Sequence, residues 1–381
     1  MRKKKITVAL LWSKYSGNVT SVNDLVLGLD RERFNIIFIY VSGHGVDRNF
    51  IEEAGYQVFY LSRIKRLKIF HFSILRRLVK ILKEHNVDIL HCHAHKATVY
   101  GAISAMIART PVVLAHVHGL GRSRNLRRKL MNILLFRKIN RIIPVAESVK
   151  KDVLKNNWFL SENKFFVLEN SVDYERFAVV SIPKKDAKQM LEVPSDAFVF
   201  GTVGRLAPTK GLSYMIEAFA KVKQQVPSAH LVLLGDGRCK VELEEQAAGT
   251  SCTDSIHFPG HRDNIPELLR AMDVFVLSSI AEGMPRAILE AMAAEVPCIA
   301  TQVGGIPEII NTENVGILVP PANADALAEA MLKVANMPRD RLEKLTESAQ
   351  NRVTQVYSHD VVRKKLVSLY ESEFEACTKH K

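Results

Sequence analysis

The C-terminal half of this chain is a succession of short apolar runs. Each is halted by glycine or proline and followed by a helical pattern, and that alternation leaves few folds open to it. Phe200-Gly-Thr-Val203 leads into a glycine-containing loop that ends at Gly211, and a helical pattern covers Met215–Val222. Leu231–Gly237 reads as strand and tight turn, and Ile256–His261, Val274–Ser278, Ile299–Gly305 and Gly316–Pro320 repeat the theme. Strands alternating with helices at this spacing imply a doubly wound parallel sheet. The N-terminal half has a complementary set in Ile6–Trp12, Ile36–Tyr40, Val87–His91, Val112–His116 and Arg141–Val145. With 381 residues, 47% of them apolar, and only 14 prolines, the chain can fill two domains of ordinary size. Two prolines and mixed charge in VVSIPKKDAKQMLEVPSD place the boundary near residues 178–196, and Val361–Cys377 has a helical pattern.

Residues 281–293, AEGMPRAILEAMA, carry the most chemistry. Gly283 turns the chain after an apolar strand, and Pro285 suits the first helical position, where its missing N–H costs nothing. Free N–H groups in a first helical turn favour a phosphate. Glu282 is expected in the loop at the strand's end, where open α/β sheets bind ligands, with Glu290 farther along the helix. Two carboxylates that accept hydrogen bonds from hydroxyls suit a polyhydroxylated phosphate ester such as a nucleotide sugar, although an amphipathic helix with a solvated Glu at each end has the same sequence. The loop before Gly211 adds Arg205 and Lys210, a forked cation and a point charge of the kind a diphosphate needs.

Taken together, Gly204-Arg205…Lys210-Gly211, Gly235-Asp-Gly237, Asp273-Val-Phe-Val, Glu282-Gly…Glu290-Ala-Met and Gly304-Gly-Ile-Pro-Glu308 resemble glycosyltransferase family 4 in order and spacing over about 120 residues. Weaker matches extend into the first half. The resemblance implies the GT-B fold, an α/β architecture of two Rossmann-like doubly wound domains facing a central cleft. Residues 1–178 would form the acceptor-binding domain, 179–196 a linker, 197–357 the nucleotide-sugar donor domain, and 358–381 a helix crossing back to the first domain.

It also implies retaining transfer of a sugar from a nucleotide-diphosphate donor to an acceptor hydroxyl, in surface polysaccharide, lipopolysaccharide or glycolipid assembly. Arg205 and Lys210 would neutralise the leaving diphosphate, helped by backbone donors across Gly283, Met284 and Ile288. Glu282 would contact sugar hydroxyls and Glu290 the ribose. His118-Gly119 matches the family's histidine facing donor sugar and acceptor, and His118 is favoured over His116, a core histidine being the alternative. The first loop departs from the family's Gly-Gly pair, leaving Ser16 and Gly17 to approach the diphosphate. Ser171 and Glu295 stand where family members often have glycine, at a cost of about 1 kcal/mol each if those backbones are left-handed. Asn170-Ser-Val-Asp173 resembles a family segment of structural role. A nucleotide-sugar epimerase of the same fold, or a non-catalytic sugar-nucleotide binding protein, shares much of this pattern.

No Asp-x-Asp motif stands beside the sugar site, and Arg and Lys can replace a metal there, so no metal or other cofactor is expected. His91-Cys-His-Ala-His95 has the look of a metal cluster, with 91, 93 and 95 on one strand face. The family needs no such metal, which leaves His93 as a substrate contact at the interdomain mouth or a packed polar residue.

Charge is uneven. Residues 1–180 hold 31 Lys+Arg against 14 Asp+Glu, a net +17, and the remainder is −4, giving +13 overall. Arg63–Lys83 and Arg122–Arg141 interleave cations with Leu, Ile and Phe at helical spacing, the composition of interfacial helices that attract anionic lipid heads. Solvated basic faces are the plainer alternative, and nucleic acid ranks last because no binding motif accompanies the charge. The expected partners are therefore the nucleotide-sugar donor, a lipid-linked or growing saccharide acceptor and an anionic membrane surface. MRKKK before ITVALLW is read as leading into a first strand rather than as a signal peptide, because Lys14 follows at once. Five scattered cysteines without a C-x-x-C pair fit reduced thiols, and no run approaches the ~18 apolar residues of a membrane span. A cytoplasmic protein, peripheral at the inner face of the plasma membrane, is the expectation.

Overall fold

The computed structural model describes residues 5–15, 21–43, 49–62, 71–121 and 126–379. Six parallel strands, β1 (Ile6–Trp12), β2 (Phe34–Tyr40), β3 (Gln57–Tyr60), β4 (Ile89–His93), β5 (Val112–Val117) and β6 (Arg141–Pro144), form one sheet in the order β3-β2-β1-β4-β5-β6. A second parallel sheet contains β7 (Phe198–Val203), β8 (Ala229–Leu234), β9 (Ile256–Gly260), β10 (Val274–Leu277), β11 (Cys298–Thr301) and β12 (Ile317–Val319), in the order β12-β11-β10-β7-β8-β9. In each sheet the winding direction reverses beside the first strand, the doubly wound arrangement of Rossmann-like folds.

The uninterrupted apolar character of the strands follows from burial on both faces. Val8 and Leu10 enter one core of the first sheet, and Ala9 and Leu11, one residue out of phase, enter the other. The partly exposed edge strand β3 has no such signature, and the sequence pattern passes over it.

The chain divides into two compact units, residues 1–169 with 362–381, and residues 170–361. Residues 179–196, expected as a linker, lie inside the second unit. There Lys184–Met190 is helical, and the buried Lys188 ammonium donates to the carbonyl oxygens of Ser195 at 3.3 Å and Ala197 at 2.6 Å. Lys184 pairs with Asp273 at 2.6 Å, so the mixed charge of this stretch ties a short helix to the start of β10.

The final helix spans His359–Thr378, and its Val362, Leu366, Leu369 and Tyr370 are buried in the core of the first unit. Glu295 is left-handed, with φ 59°, whereas Ser171 is absent from the left-handed positions. The cost anticipated for a non-glycine residue therefore applies to Glu295 alone. Among the described residues, no helix is long and apolar enough to cross a membrane.

Candidate active site

The loops that carry the acidic and basic candidates meet at the C-terminal ends of the central strands of the second sheet, around the reversal at β7 and β10. Backbone approaches that exclude a Cβ bind them together. Gly211 is left-handed, with φ 58°, and a Cβ there would sit 2.3 Å from the Ser278 carbonyl oxygen. The Ser278 hydroxyl donates to the Lys210 carbonyl at 2.9 Å, and the Ile280 amide to that of Thr209 at 2.9 Å. From β11, Gly304 at φ 56° would place a Cβ 2.0 Å from the Glu282 carbonyl oxygen, and the Gly305 amide donates to the Gly283 carbonyl at 2.7 Å.

On this scaffold the Lys210 ammonium donates to Glu282 Oε1 at 2.5 Å, and the Ser279 hydroxyl donates to the same oxygen at 2.7 Å. Both members of the pair are largely buried, Lys210 at 22% and Glu282 at 13% exposure. Arg205 is exposed and, among the described residues, has no ion-pair partner. The site thus presents one committed cation and one open cation beside a carboxylate.

The helix after β10 spans Arg286–Ala293, with Pro285 at its N-cap (φ −75°, ψ 124°) rather than at its first turn. Met284 and Ile288 are buried in the core, so only their backbones can meet a ligand. Asn170, read from sequence as structural, donates from Nδ2 to the Met284 carbonyl at 2.6 Å and thereby holds the loop that leads into this helix. Glu290 is 17% exposed and lies 3.6 Å from Arg286. Burial pushes its carboxyl up, against the opposing pull of Arg286 and Arg176.

Gly304→Ala is expected to lower stability by about 1–2 kcal/mol and to weaken donor binding through the displaced Glu282 loop. Gly260→Ala is the control, since Gly260 is also left-handed, at φ 77°, but a Cβ there would meet nothing within 4 Å. Equal donor affinity in the two variants would show that the Gly304 approach does not position the site.

In the first unit the histidines at the ends of β4 and β5 form a slab against Trp12. His93 stacks on Trp12 with ring centroids 3.9 Å apart, and its Nδ1 lies 3.2 Å from His118 Nε2. His93 has no exposure, so its ring meets protein, and the half-buried His118 is the member nearer solvent. His91 Nδ1 lies 2.8 Å from the Tyr370 hydroxyl and its Nε2 lies 3.1 Å from His116 Nδ1. One nitrogen from each of His91, His93 and His116 falls within 4.8 Å of the others. Zinc bonds of ~2.0–2.1 Å require those nitrogens to point at one centre. Here both His91 nitrogens and His116 Nδ1 are engaged in hydrogen bonds.

Ser16 and Gly17 lie outside the described residues, as do residues 63–70 and 122–125 of the two basic clusters. The second cluster continues in the helix Leu126–Leu135, which exposes Leu130 at 58% and Leu134 at 69%, next to exposed Arg137 and Lys138. The side chains of Arg127 and Lys129 are outside the described set.

Two doubly wound domains with the loops of one converging on a Lys–Glu pair define the GT-B class of sugar-transferring folds. Known proteins agree. The profile for glycosyltransferase family 4 matches residues 15–176, and that for glycosyl transferases group 1 matches residues 183–352. The UDP-Gal:alpha-D-GlcNAc-diphosphoundecaprenol alpha-1,3-galactosyltransferase of Escherichia coli is 33% identical over 269 residues, covering 68% of this chain and 69% of that one. The capsular polysaccharide biosynthesis glycosyltransferase CapM of Staphylococcus aureus is 27% identical, covering 79% of this chain and 82% of its own length. The crystal structure of Anabaena HepE in complex with UDP-glucose superposes with a TM-score of 0.83 at 21% identity, over 96% of this chain and 100% of that one, a likeness of fold. The chain belongs to glycosyltransferase family 4 and is a glycosyltransferase.

Proposed function

We propose that this enzyme transfers a sugar from a UDP-sugar to a hydroxyl of a lipid-linked saccharide, with retention of anomeric configuration, in the assembly of a surface polysaccharide or glycolipid. The observation that carries the reading is the Lys210–Glu282 pair, with Arg205 open beside it, at the strand ends where doubly wound sheets take ligands. The E. coli relative is named for a UDP-galactose donor and a diphosphoundecaprenol acceptor, which supplies the donor and acceptor classes.

In this reading Arg205 and Lys210 stabilise charge on the departing diphosphate, and Glu282, released from Lys210 by the donor, accepts hydrogen bonds from the sugar hydroxyls. Glu290 accepts from the ribose, and the backbone at Gly283, Met284 and Ile288 faces the phosphates. Ser16 and Gly17 approach the same diphosphate. His118, with Gly119 beside it, faces the acceptor, and His93 orients His118 from beneath. The acceptor oxygen bonds to the anomeric carbon on the face from which the diphosphate departs. The leaving phosphate oxygen takes the acceptor's proton. Arg205 and Lys210 do the work a divalent cation does elsewhere, so turnover is expected to persist in a chelator.

Thermal shift against UDP-, GDP- and ADP-sugars tests donor choice, because a ligand that binds only the folded state raises its apparent stability. Transfer to a lipid-diphosphate saccharide, with the product's anomeric configuration read by NMR, tests the reaction. Isomerised sugar from donor alone would establish epimerisation instead. Glu290→Ala is expected to weaken UDP binding about tenfold with a smaller change in kcat, because a ribose contact serves ground and transition states alike. Unchanged UDP affinity would remove Glu290 from the ribose.

Exposed Leu130 and Leu134, followed by exposed Arg137 and Lys138, support docking to an anionic membrane, where each Lys or Arg contributes about 1 kcal/mol. Co-sedimentation with liposomes should rise with anionic lipid and fall with salt as the Debye length shrinks below about 10 Å. Replacing Arg124, Arg127, Arg128 and Lys129 with Gln should weaken it. Indifference of the wild type to anionic liposomes at low salt would make these residues a solvated face.

A further inference from the structure

A small cavity of about 50 Å³ opens in the first unit at the ends of β4 and β5, walled by Ala94, Ala115, Val117, Phe136 and Val153. It is far below the several hundred Å³ of a whole small-molecule site and above the space one water needs, so it suits a group of a few heavy atoms. Three histidines, His95, His116 and His118, also line it, together with Thr98 and Asn132. His95 and His116 each have a buried Nε2 with no hydrogen-bond partner. His116 is itself 2% exposed.

The surrounding network assigns the protons. Tyr370 is fully buried, and among the described residues its hydroxyl has one partner, His91 Nδ1 at 2.8 Å. That hydroxyl hydrogen has no other acceptor, so Tyr370 donates and His91 carries its own proton on Nε2. His91 Nε2–H then donates to His116 Nδ1 at 3.1 Å, which leaves the proton of His116 on its unpartnered Nε2. Burial keeps both rings neutral by holding them well below the ordinary histidine range. Burial lowers the pKa of His95, which has the Asn132 side chain beside it, and its Nε2 is buried without a partner. In the tautomer that carries the proton on Nδ1, His95 Nε2 presents a lone pair to the cavity. The two unpartnered nitrogens thus offer the cavity a donor and an acceptor, opposite the apolar side chains of Ala115, Val117, Phe136 and Val153.

A secondary acetamide is the complement of that set: a carbonyl oxygen, an N–H and a methyl. We infer that this cavity holds the 2-acetamido group of the sugar at the end of the acceptor, with His116 Nε2–H donating to its carbonyl and its N–H donating to His95 Nε2. The methyl packs on Ala115, Val117 and Val153. This rests on the reading of the first unit as the acceptor side. An acceptor with a hydroxyl in that position leaves the methyl space empty and at least one imidazole nitrogen unpaired, the situation in which polar sites discriminate most strongly.

The test uses the full-length enzyme and two acceptors on one lipid diphosphate, terminating in N-acetylglucosamine or in glucose. kcat/KM is expected to be about 10²-fold or more higher for the acetamido acceptor. His116→Phe should bring the ratio to within a few-fold. Tyr370→Phe, which leaves the cavity walls in place and removes only the proton assignment, should lower it several-fold. Equal use of both acceptors by the wild type overturns the inference. Should neither acceptor be used, binding of methyl N-acetylglucosaminide and methyl glucoside is compared by saturation-transfer NMR. A preference for the former that His116→Phe abolishes supports the cavity, whereas equal or absent binding overturns it. The absence of any thermal shift with UDP-sugars would instead sink the donor reading, and the two methyl glycosides still decide the cavity.

Discussion

Lys210→Ala is expected to lower kcat/KM by about 10²-fold or more while the protein stays folded, because the developing charge on the diphosphate loses a partner held in place beforehand. Arg205→Ala should fall in the same range, but by a different route. Arg205 is exposed and has no ion-pair partner among the described residues, so its loss removes the proposed diphosphate contact alone. Lys210 is fixed by Glu282 Oε1 at 2.5 Å, so its loss also strands a largely buried carboxylate. The Lys210→Ala variant should therefore show the larger fall in thermal stability of the two. Steady-state kinetics beside a melting curve separates the routes, and wild-type turnover in either variant would take that residue out of the site.

The second large effect is acid lability. Desolvation holds His91 at about 3 against an ordinary 6.5, and His93 and His116 are also pushed well down by burial and by one another. The groups facing them are His118 and Tyr370, with Trp12 stacked on His93, and no carboxylate is among the causes of their shifts. A histidine whose pKa is lower folded than unfolded binds more protons when unfolded, so stability rises with pH across that window. The contribution is complete above about pH 6.5 and drains away as pH falls toward 3. Each such group steepens the dependence by about 1.4 kcal/mol per pH unit, so three together approach ~4. Urea unfolding followed from pH 7 to pH 5 should show the dependence steepening toward that limit, and His91→Phe should reduce it at the acid end by roughly one proton. A flat profile over this range would mean that the slab is already charged or hydrated.

The candidate site of the second unit could be read from sequence because each of its loops is local in the chain. Gly204–Gly211 and Glu282–Glu290 each sit within one loop and one helical start, and glycine, proline, cation and carboxylate carry their meaning at short range. What sequence could not show was which loops touch. That Asn170 reaches the Met284 carbonyl, or that Gly304 must lack a side chain because Glu282 lies behind it, depends on approaches across more than a hundred and across some twenty residues respectively.

In the first unit the histidines were conspicuous, yet their contacts were not. A strand places His91 and His93 on one face by simple alternation. Their neighbours come from β5 and from Tyr370 in the last helix, and those partners decide which nitrogen holds a proton. The stretch expected as a linker is ambiguous for a related reason: prolines and mixed charge describe a short helix pinned by Lys184 and Asp273 as well as they describe a connector.

The route of the chain also sets an order of assembly during synthesis. The second unit is one continuous stretch, residues 170–361, and has all its parts as soon as it leaves the ribosome. The first unit, begun much earlier, lacks Leu366, Leu369 and Tyr370 until the final helix arrives. At about 5–20 residues per second, that delay is on the order of 10–40 s. Throughout it, the apolar surface destined for those side chains faces solvent, and His91 has no hydroxyl to set its proton. The nascent first unit therefore waits with an incomplete core, and has all its side chains only after every residue of the second unit has been synthesised.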